Sequence, residues 1–207
     1  MNEETKIKFA TISNVVIVCM VLYSTVMALI SDGWGFFQYY TQLSNLYGGI
    51  TASFALHYYV HKIKNPKLVV PEWCKHIRYS STCCLTLTFL VVVFFLAPQK
   101  GGWNGYKTMM FQGISVFTHL LTPILSIVSF LCFEEKALKP LLRYAVIPTI
   151  LYAVVLVILN ALKVLTGPYF FLRVYDQALY MTFIWCIVVI GIDFAIAFGL
   201  SRINHTK

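Results

Sequence analysis

The chain has 207 residues, of which 59% are hydrophobic and 12% charged, and it carries a formal net charge of +8. With a mean hydropathy of +0.75, such a composition excludes a disordered chain or an ordinary water-soluble domain. The positive charge is spread over short connections that hold no RNA-binding motif, so it excludes a nucleic-acid partner and reads as a signal of membrane topology.

In chain order, the apolar runs predict six membrane spans at about 8–31, 36–60, 77–97, 108–133, 141–163 and 177–201. Together they make one all-α integral membrane domain over 1–207, a six-transmembrane-helix bundle with no room for a soluble module. The first run is too long for a signal-peptide core and lacks a small-residue cleavage site, so it is expected to remain as the first helix. Short turns join the runs: Ser31-Asp32-Gly33-Trp34-Gly35 and Gln99 to Gly105 on one side, Asn65-Pro66 and Pro71 on the other.

All 16 Lys and Arg residues lie outside a run or at its end. Lys6, Lys8, Lys62, Lys64, Lys67, Lys75, Arg78, Lys136, Lys139, Arg143, Arg202 and Lys207 fall on one side. Lys100, Lys107, Lys163 and Arg173 fall on the other, among interfacial aromatics such as Trp34, Tyr39, Trp103 and Tyr169. By the positive-inside rule both termini are expected in the cytoplasm, at a plasma membrane whose anionic inner leaflet partners the basic side.

Five of the six cysteines, Cys19, Cys83, Cys84, Cys132 and Cys186, fall within spans, and Cys74 lies on the second connection. No disulfide framework or zinc spacing emerges, and no metal is expected. The informative residues are the polar ones inside spans, since each needs a partner or an aqueous pocket to offset its desolvation. In the second span Gln38, Thr41, Asn45 and Gly48 recur at helical intervals and share one face, with Ser44 at its margin. In the fourth, Ser115, Thr118, His119, Thr122 and Ser126 form another stripe. Pro123 cannot donate to the carbonyl of His119, so a kink and a free acceptor are expected beside the imidazole. Asp193 is the only carboxylate well inside a span and must be neutral, paired or wet.

Local readings compete with functional ones. Ser and Thr in membrane helices commonly bond their own backbone or a neighbouring helix, and small residues serve close packing. His57 and His61, one turn apart at the basic end of the second span, read as a solvated helix end rather than a metal pair.

The segments Phe37-Gln38-Tyr39-Tyr40-Thr41-Gln42-Leu43-Ser44-Asn45-Leu46, Thr118-His119-Leu120-Leu121-Thr122-Pro123 and Gly167-Pro168-Tyr169-Phe170-Phe171-Leu172 resemble the androgen-induced gene family of multipass membrane proteins, specifically its bacterial branch. The resemblance covers most of the chain in order and topology. It implies a membrane threonine hydrolase of fatty acid esters of hydroxy fatty acids, with an embedded Thr and His as its active site. The Thr of the aromatic-rich second span matches Thr41. The His preceding a proline in the fourth matches His119, with Thr118 as the alternative in the aligned slot. The implied chemistry is attack by the Thr41 hydroxyl, activated by a neutral imidazole, through an acyl-threonine intermediate.

Helical phase adds Gln38 and Asn45 as candidate oxyanion donors and Asp193 as a candidate orienter of His119. Ser44, one turn after Thr41, is an equally reactive hydroxyl, so the nucleophile stays open between the two. At about 1.5 Å per residue, Thr41 falls near the outer end of its span and His119 near the middle of its own. Tilt, a kink or an earlier start of the second helix has to close that gap.

On this reading the substrate is an amphiphilic ester from the membrane lipids that reaches Thr41 laterally from the outer leaflet, and no cofactor is required. Gly167 to Leu172 and Trp34 to Tyr40 are expected to line the outer mouth. The lack of G-x-S-x-G argues against the usual lipase scaffold. The competing reading is a small transporter, or a lipid or small-molecule binding protein, in which the stripes line a pathway and Asp193 relays protons with His119. No internal repeat supports it. A haem or quinone protein needs paired axial His residues, and His119 has no evident partner.

Overall fold

The structure, a computed structural model, describes residues 1–137 and 142–205. Lys139, Lys207 and the expected start of the fifth span at residue 141 lie outside the described residues. The principal helices are α1 (Glu3–Asp32), α2 (Tyr40–Lys64), α3 (Glu72–Val91), α4 (Trp103–Met110), α5 (Thr122–Cys132), α6 (Leu142–Ala161) and α7 (Leu179–His205), and there is no strand among the described residues. Two wide helical turns interrupt the pattern. One, Val92–Leu96, prolongs α3 into the short turn Ala97–Gln99; the other, Val116–Leu121, leads into α5.

Four helical stretches are long and apolar enough to cross a membrane: Glu3–Gln38, Glu72–Gln99, Leu142–Ala161 and Leu179–Ile203. The second and fourth expected spans differ from these. α2 has the length, at 25 residues, but it is not among the helices apolar enough to cross, and its polar Thr41, Ser44, Asn45 and Thr51 are buried against neighbouring helices while Ile50 and Phe54 are exposed. It lies between α1 and α3 at close range: a Cβ at Gly49 would stand 2.6 Å from Val21, and one at Gly48 2.8 Å from Leu85. The run expected at 108–133 is broken. α4 ends at Met110, Gly113 adopts a φ of 53°, and the apolar helix resumes only at Val116.

The bundle is apolar outside and polar within, as a helix surface facing hydrocarbon requires. On α7, Ile187 is 71% exposed while Asp193 is 0% exposed. α3 is the core element, with 12 of its 20 residues buried, and it packs against α2, α5, α6 and α7. Its hydroxyls pair across helices: Thr88 with Ser44 at 2.8 Å, Ser81 with Thr51 at 2.6 Å, and Thr82 with Ser126 at 3.1 Å. Tyr79 donates to the Ala197 carbonyl of α7 at 2.7 Å. Ser80 donates to the Tyr144 carbonyl of α6 at 3.2 Å, an acceptor freed because Pro148, four residues on, has no N–H to give it.

The basic end is held by buried ion pairs. Arg78, 1% exposed, grips Glu134 through Nε at 3.1 Å and Nη2 at 2.8 Å. Ser129 and Asn14 donate to the same carboxylate at 2.7 and 3.2 Å. Beside it Glu135 pairs with Lys62 at 2.6 Å and Lys75 at 3.3 Å. These bonds gather the start of α1, the end of α2, the start of α3 and the segment after α5 at one end of the bundle.

Burial by itself raises a carboxyl, but the Arg78 guanidinium and the Ser129 and Asn14 hydrogen bonds outweigh it and hold Glu134 below the usual carboxylate range. In the unfolded chain the group returns to about 4.5, so on acidification the unfolded state binds the proton first. The pair's contribution is therefore full above that value and is lost as the pH falls through the lower folded value. Thermal melts in detergent should show this loss, and Glu134→Gln should flatten that acid limb. Arg78→Ala, which strands a buried carboxylate, should lower stability by about 3 to 5 kcal/mol at neutral pH.

Candidate active site

Thr41 and His119 line one cavity of about 390 Å³, together with Tyr39, Gln42, Thr118, Tyr169, Lys100 and Arg173. Three local features bring them there. The turn Gly33–Gln38 ends before Tyr39, so Thr41 lies in the first turn of α2. The break at Gly113 makes Val116 the start of its helix, so His119 also lies within a first turn. The depth gap expected between Thr41 and His119 closes for that reason. Finally, the segment from Gly167 folds back over the site and buries Tyr169 against Thr41.

Both wide turns lie directly before a proline, Pro98 and Pro123. Proline supplies no N–H and crowds the carbonyl four residues earlier, and a widened turn absorbs both effects. In the second of these turns the Thr122 N–H bonds the Phe117 carbonyl, five residues back. The Thr118 carbonyl thereby loses its α-helical donor. Asn45 fills the vacancy: its Nδ2 donates to Thr118 O at 3.0 Å and to Thr41 O at 2.8 Å. One buried amide thus fastens the backbone of the Thr41 turn to the backbone of the His119 turn.

The protonation of the imidazole follows from its partner. His119 Nδ1 lies 2.5 Å from the Met109 carbonyl, which can only accept. In the neutral imidazole Nδ1 therefore carries the proton, and Nε2 is the acceptor. Tyr169 brings a phenol up to Thr41 from the segment after α6. Its oxygen accepts from the Thr41 amide at 3.5 Å and also interacts with the Thr41 hydroxyl. Burial pushes the phenol above its usual range, so it stays protonated and able to donate.

A second compartment adjoins the first. It is a narrow apolar chamber of about 40 Å³ bounded by Leu87, Val91, Ala153, Leu172 and Ile190. Thr41, Leu96 and Tyr169 line both chamber and cavity.

The remaining expected residues lie elsewhere. Ser44 donates to Thr41 O at 3.0 Å and pairs with Thr88, and it lines a separate groove without His119. Asn45 is on the expected face, but both of its N–H bonds are spent on carbonyls, so it holds the site together instead of donating to an oxyanion. Gln38 precedes α2 and falls outside the helical phase of Thr41. It lines the Ser44 groove, and its carbonyl accepts from Tyr152 at 2.6 Å. Asp193 is not the orienter of His119: its Oδ2 accepts from Thr149 at 2.5 Å, while the imidazole is oriented by Met109. His57 and His61 are exposed, and no group of three metal-binding side chains occurs among the described residues.

Sequence reasoning placed Tyr169 only among the aromatics and mouth-lining residues, read Lys100 and Arg173 only as topology charges, and gave Gln42 no role. Arg173 is anchored to the Gly167 carbonyl at 3.1 Å, just after the Gly167 to Leu172 segment. No protein-family model, curated protein or solved structure matches this chain. The His119 tautomer can be read directly. Nitrogen-15 spectra of histidine-labelled protein should show His119 protonated at Nδ1 at neutral pH.

Proposed function

We propose that this protein is an intramembrane hydrolase of lipid esters, with Thr41 as nucleophile and His119 as general base. The observation that carries the reading is the cavity that Thr41 and His119 both line, with the imidazole anchored through Nδ1 to the Met109 carbonyl so that Nε2 is the nitrogen left to act as base. Thr41 Oγ attacks the ester carbonyl carbon while Nε2 takes its proton. The tetrahedral intermediate collapses, the bond to the alcohol oxygen breaks, and the imidazolium returns the proton to that oxygen. Water, deprotonated by Nε2, then attacks the acyl-threonine, releasing the carboxylic acid and restoring the Thr41 hydroxyl. Tyr169 O–H is the donor suited to the developing oxyanion, in place of Gln38 and Asn45.

The same proposal includes six crossings, with α2 and the Val116–Cys132 helix as the two interior ones and both termini cytoplasmic at a plasma membrane. Its support is the gathering of Lys62, Lys75 and Arg78 at one end and the outer-side aromatics at the other. The resemblance to the androgen-induced gene family accords with this reading and with a fatty acid ester as substrate.

Covalent labelling of membranes by a fluorophosphonate probe tests the chemistry. Labelling is expected at Thr41, lost in Thr41→Ala and in His119→Ala, and largely retained in Ser44→Ala. Unlabelled but well-folded wild type would overturn the hydrolase and favour a transporter or binding protein.

A further inference from the structure

A third cavity lies beyond the chamber. It is a groove of about 780 Å³ between the first turns of α2 and the outer half of α6, lined by Trp34, Phe37, Ser44, Cys84, Leu151 and Val155 among others. Its lip is on the outer surface of a membrane-length helix, where Leu151 is 60% and Val155 49% exposed. The groove and the cavity holding His119 have no lining residue in common. The groove and the chamber have two, Tyr40 and Tyr152. Three compartments therefore stand in a row, with the tyrosine pair as the wall between groove and chamber and Thr41 at the boundary between chamber and outer cavity.

That wall is latched. The two rings meet edge to face with centroids 5.1 Å apart, and Tyr152 O–H donates to the Gln38 carbonyl at 2.6 Å. Thr149 spends its proton on Asp193, so at the 2.7 Å contact between Tyr40 and Thr149 it is the phenol that donates. Tyr152 is held through the Gln38 carbonyl and Tyr40 through Thr149 with Cys84 as a second partner, and side-chain rotation can break these bonds without unfolding a helix. The chamber is too narrow for a long hydrocarbon chain, whereas the groove is long, apolar and open to the lipid.

Resting on the ester-hydrolase reading, we propose that the α2–α6 groove holds the long acyl chain of the substrate and that Tyr40 and Tyr152 are the gate through which it reaches Thr41. The occupant is a fatty acyl chain because the groove opens at the exposed apolar face of α6, has a predominantly apolar wall, and shares lining residues with the chamber beside Thr41 and not with the polar cavity. The outer cavity, with Lys100, Arg173 and Gln42, then receives the polar alcohol side of the ester. Long-chain and short-chain esters make different demands on this path, since a butyryl group needs little of the groove and a palmitoyl group needs most of it.

The test uses the full chain in lipid nanodiscs with p-nitrophenyl butyrate and palmitate, and with a palmitoyl ester carrying a mid-chain diazirine. Val155→Trp, which fills the groove, should lower the palmitate-to-butyrate ratio of turnover by about tenfold. Tyr152→Phe, which removes the latch to Gln38, should raise that ratio by about threefold. The diazirine should crosslink to Ser44, Tyr47 or Cys84 at the inner end of the groove, competed by unlabelled palmitoyl ester and abolished by Val155→Trp. Unchanged ratios, or crosslinks confined to lipid-facing residues such as Ile187, would overturn the groove assignment while leaving hydrolysis intact. Competed crosslinking in the groove without hydrolysis of any ester would uphold the binding site and remove the enzyme reading.

Discussion

A helix surrounded by hydrocarbon can carry polar side chains inward only if other helices satisfy them, and in this bundle that constraint falls chiefly on α3. Arg78 at its start is paired with Glu134 across 56 residues of sequence, Thr82 meets Ser126, and Thr88 meets Ser44. Each bond joins α3 to a different part of the bundle, so sliding α3 by one residue would break all of them together. Such bonds contribute modestly to stability when made and cost more when half-made. Their effect here is to fix the register of α2 and α5 against α3. The turns bearing Thr41 and His119 take their relative position from that register.

The helical stretches were legible because apolar runs and charge placement are strong signals that local sequence carries. α2 was read as one more apolar run, and its recurring polar residues gave the face that turns inward. The break ahead of His119 was not read, although Gly113 and Pro123 both mark it, because the hydropathy of the run hides a local loss of helix. Thr41 and His119 were reached from helical phase and from the resemblance. Phase failed at Gln38, which lies in a tight turn before α2 begins, and it misjudged Asn45, whose position was right but whose donors are consumed. Tyr169 could not be found by periodicity, since it reaches the site from an irregular segment. The Arg78–Glu134 pair was counted as topology charge alone, because sequence gives no measure of which distant charges will be buried together.

The local cause of the site is a pair of prolines. Each forces its helix to widen just ahead of it, and the widened turns, Val92–Leu96 and Val116–Leu121, contribute Leu96, Thr118 and His119 to one cavity. A π-type turn leaves carbonyls without their usual donors, which is costly inside a membrane unless a side chain supplies one. Asn45 supplies it at Thr118, and in doing so ties the turn bearing Thr41 to the turn bearing His119. The defect in the helix and the rigidity of the site are thus two aspects of the same arrangement.

The polar groups inside the bundle do not join into a single route. Tyr40, Thr149 and Asp193 form one line of donors ending on a buried carboxylate, and His119 belongs to another group facing the outer cavity. Both groups border the chamber, through Tyr40 and Thr149 on one side and Thr41 and Tyr169 on the other, and the rest of its wall is mostly apolar, with Leu87, Val91, Val92 and Ile190. A path for an ion or polar solute needs polar lining throughout, and this interruption interposes apolar surface where desolvation is most costly. Hydrolysis of an amphiphilic ester makes the reverse demand: an apolar compartment for the chain, a polar one for the departing alcohol, and the nucleophile where they meet. Thr41 lines the polar cavity and the narrow apolar chamber onto which the groove proposed for the chain abuts, and His119 lines only the polar cavity, an arrangement that accords with the proposed hydrolysis.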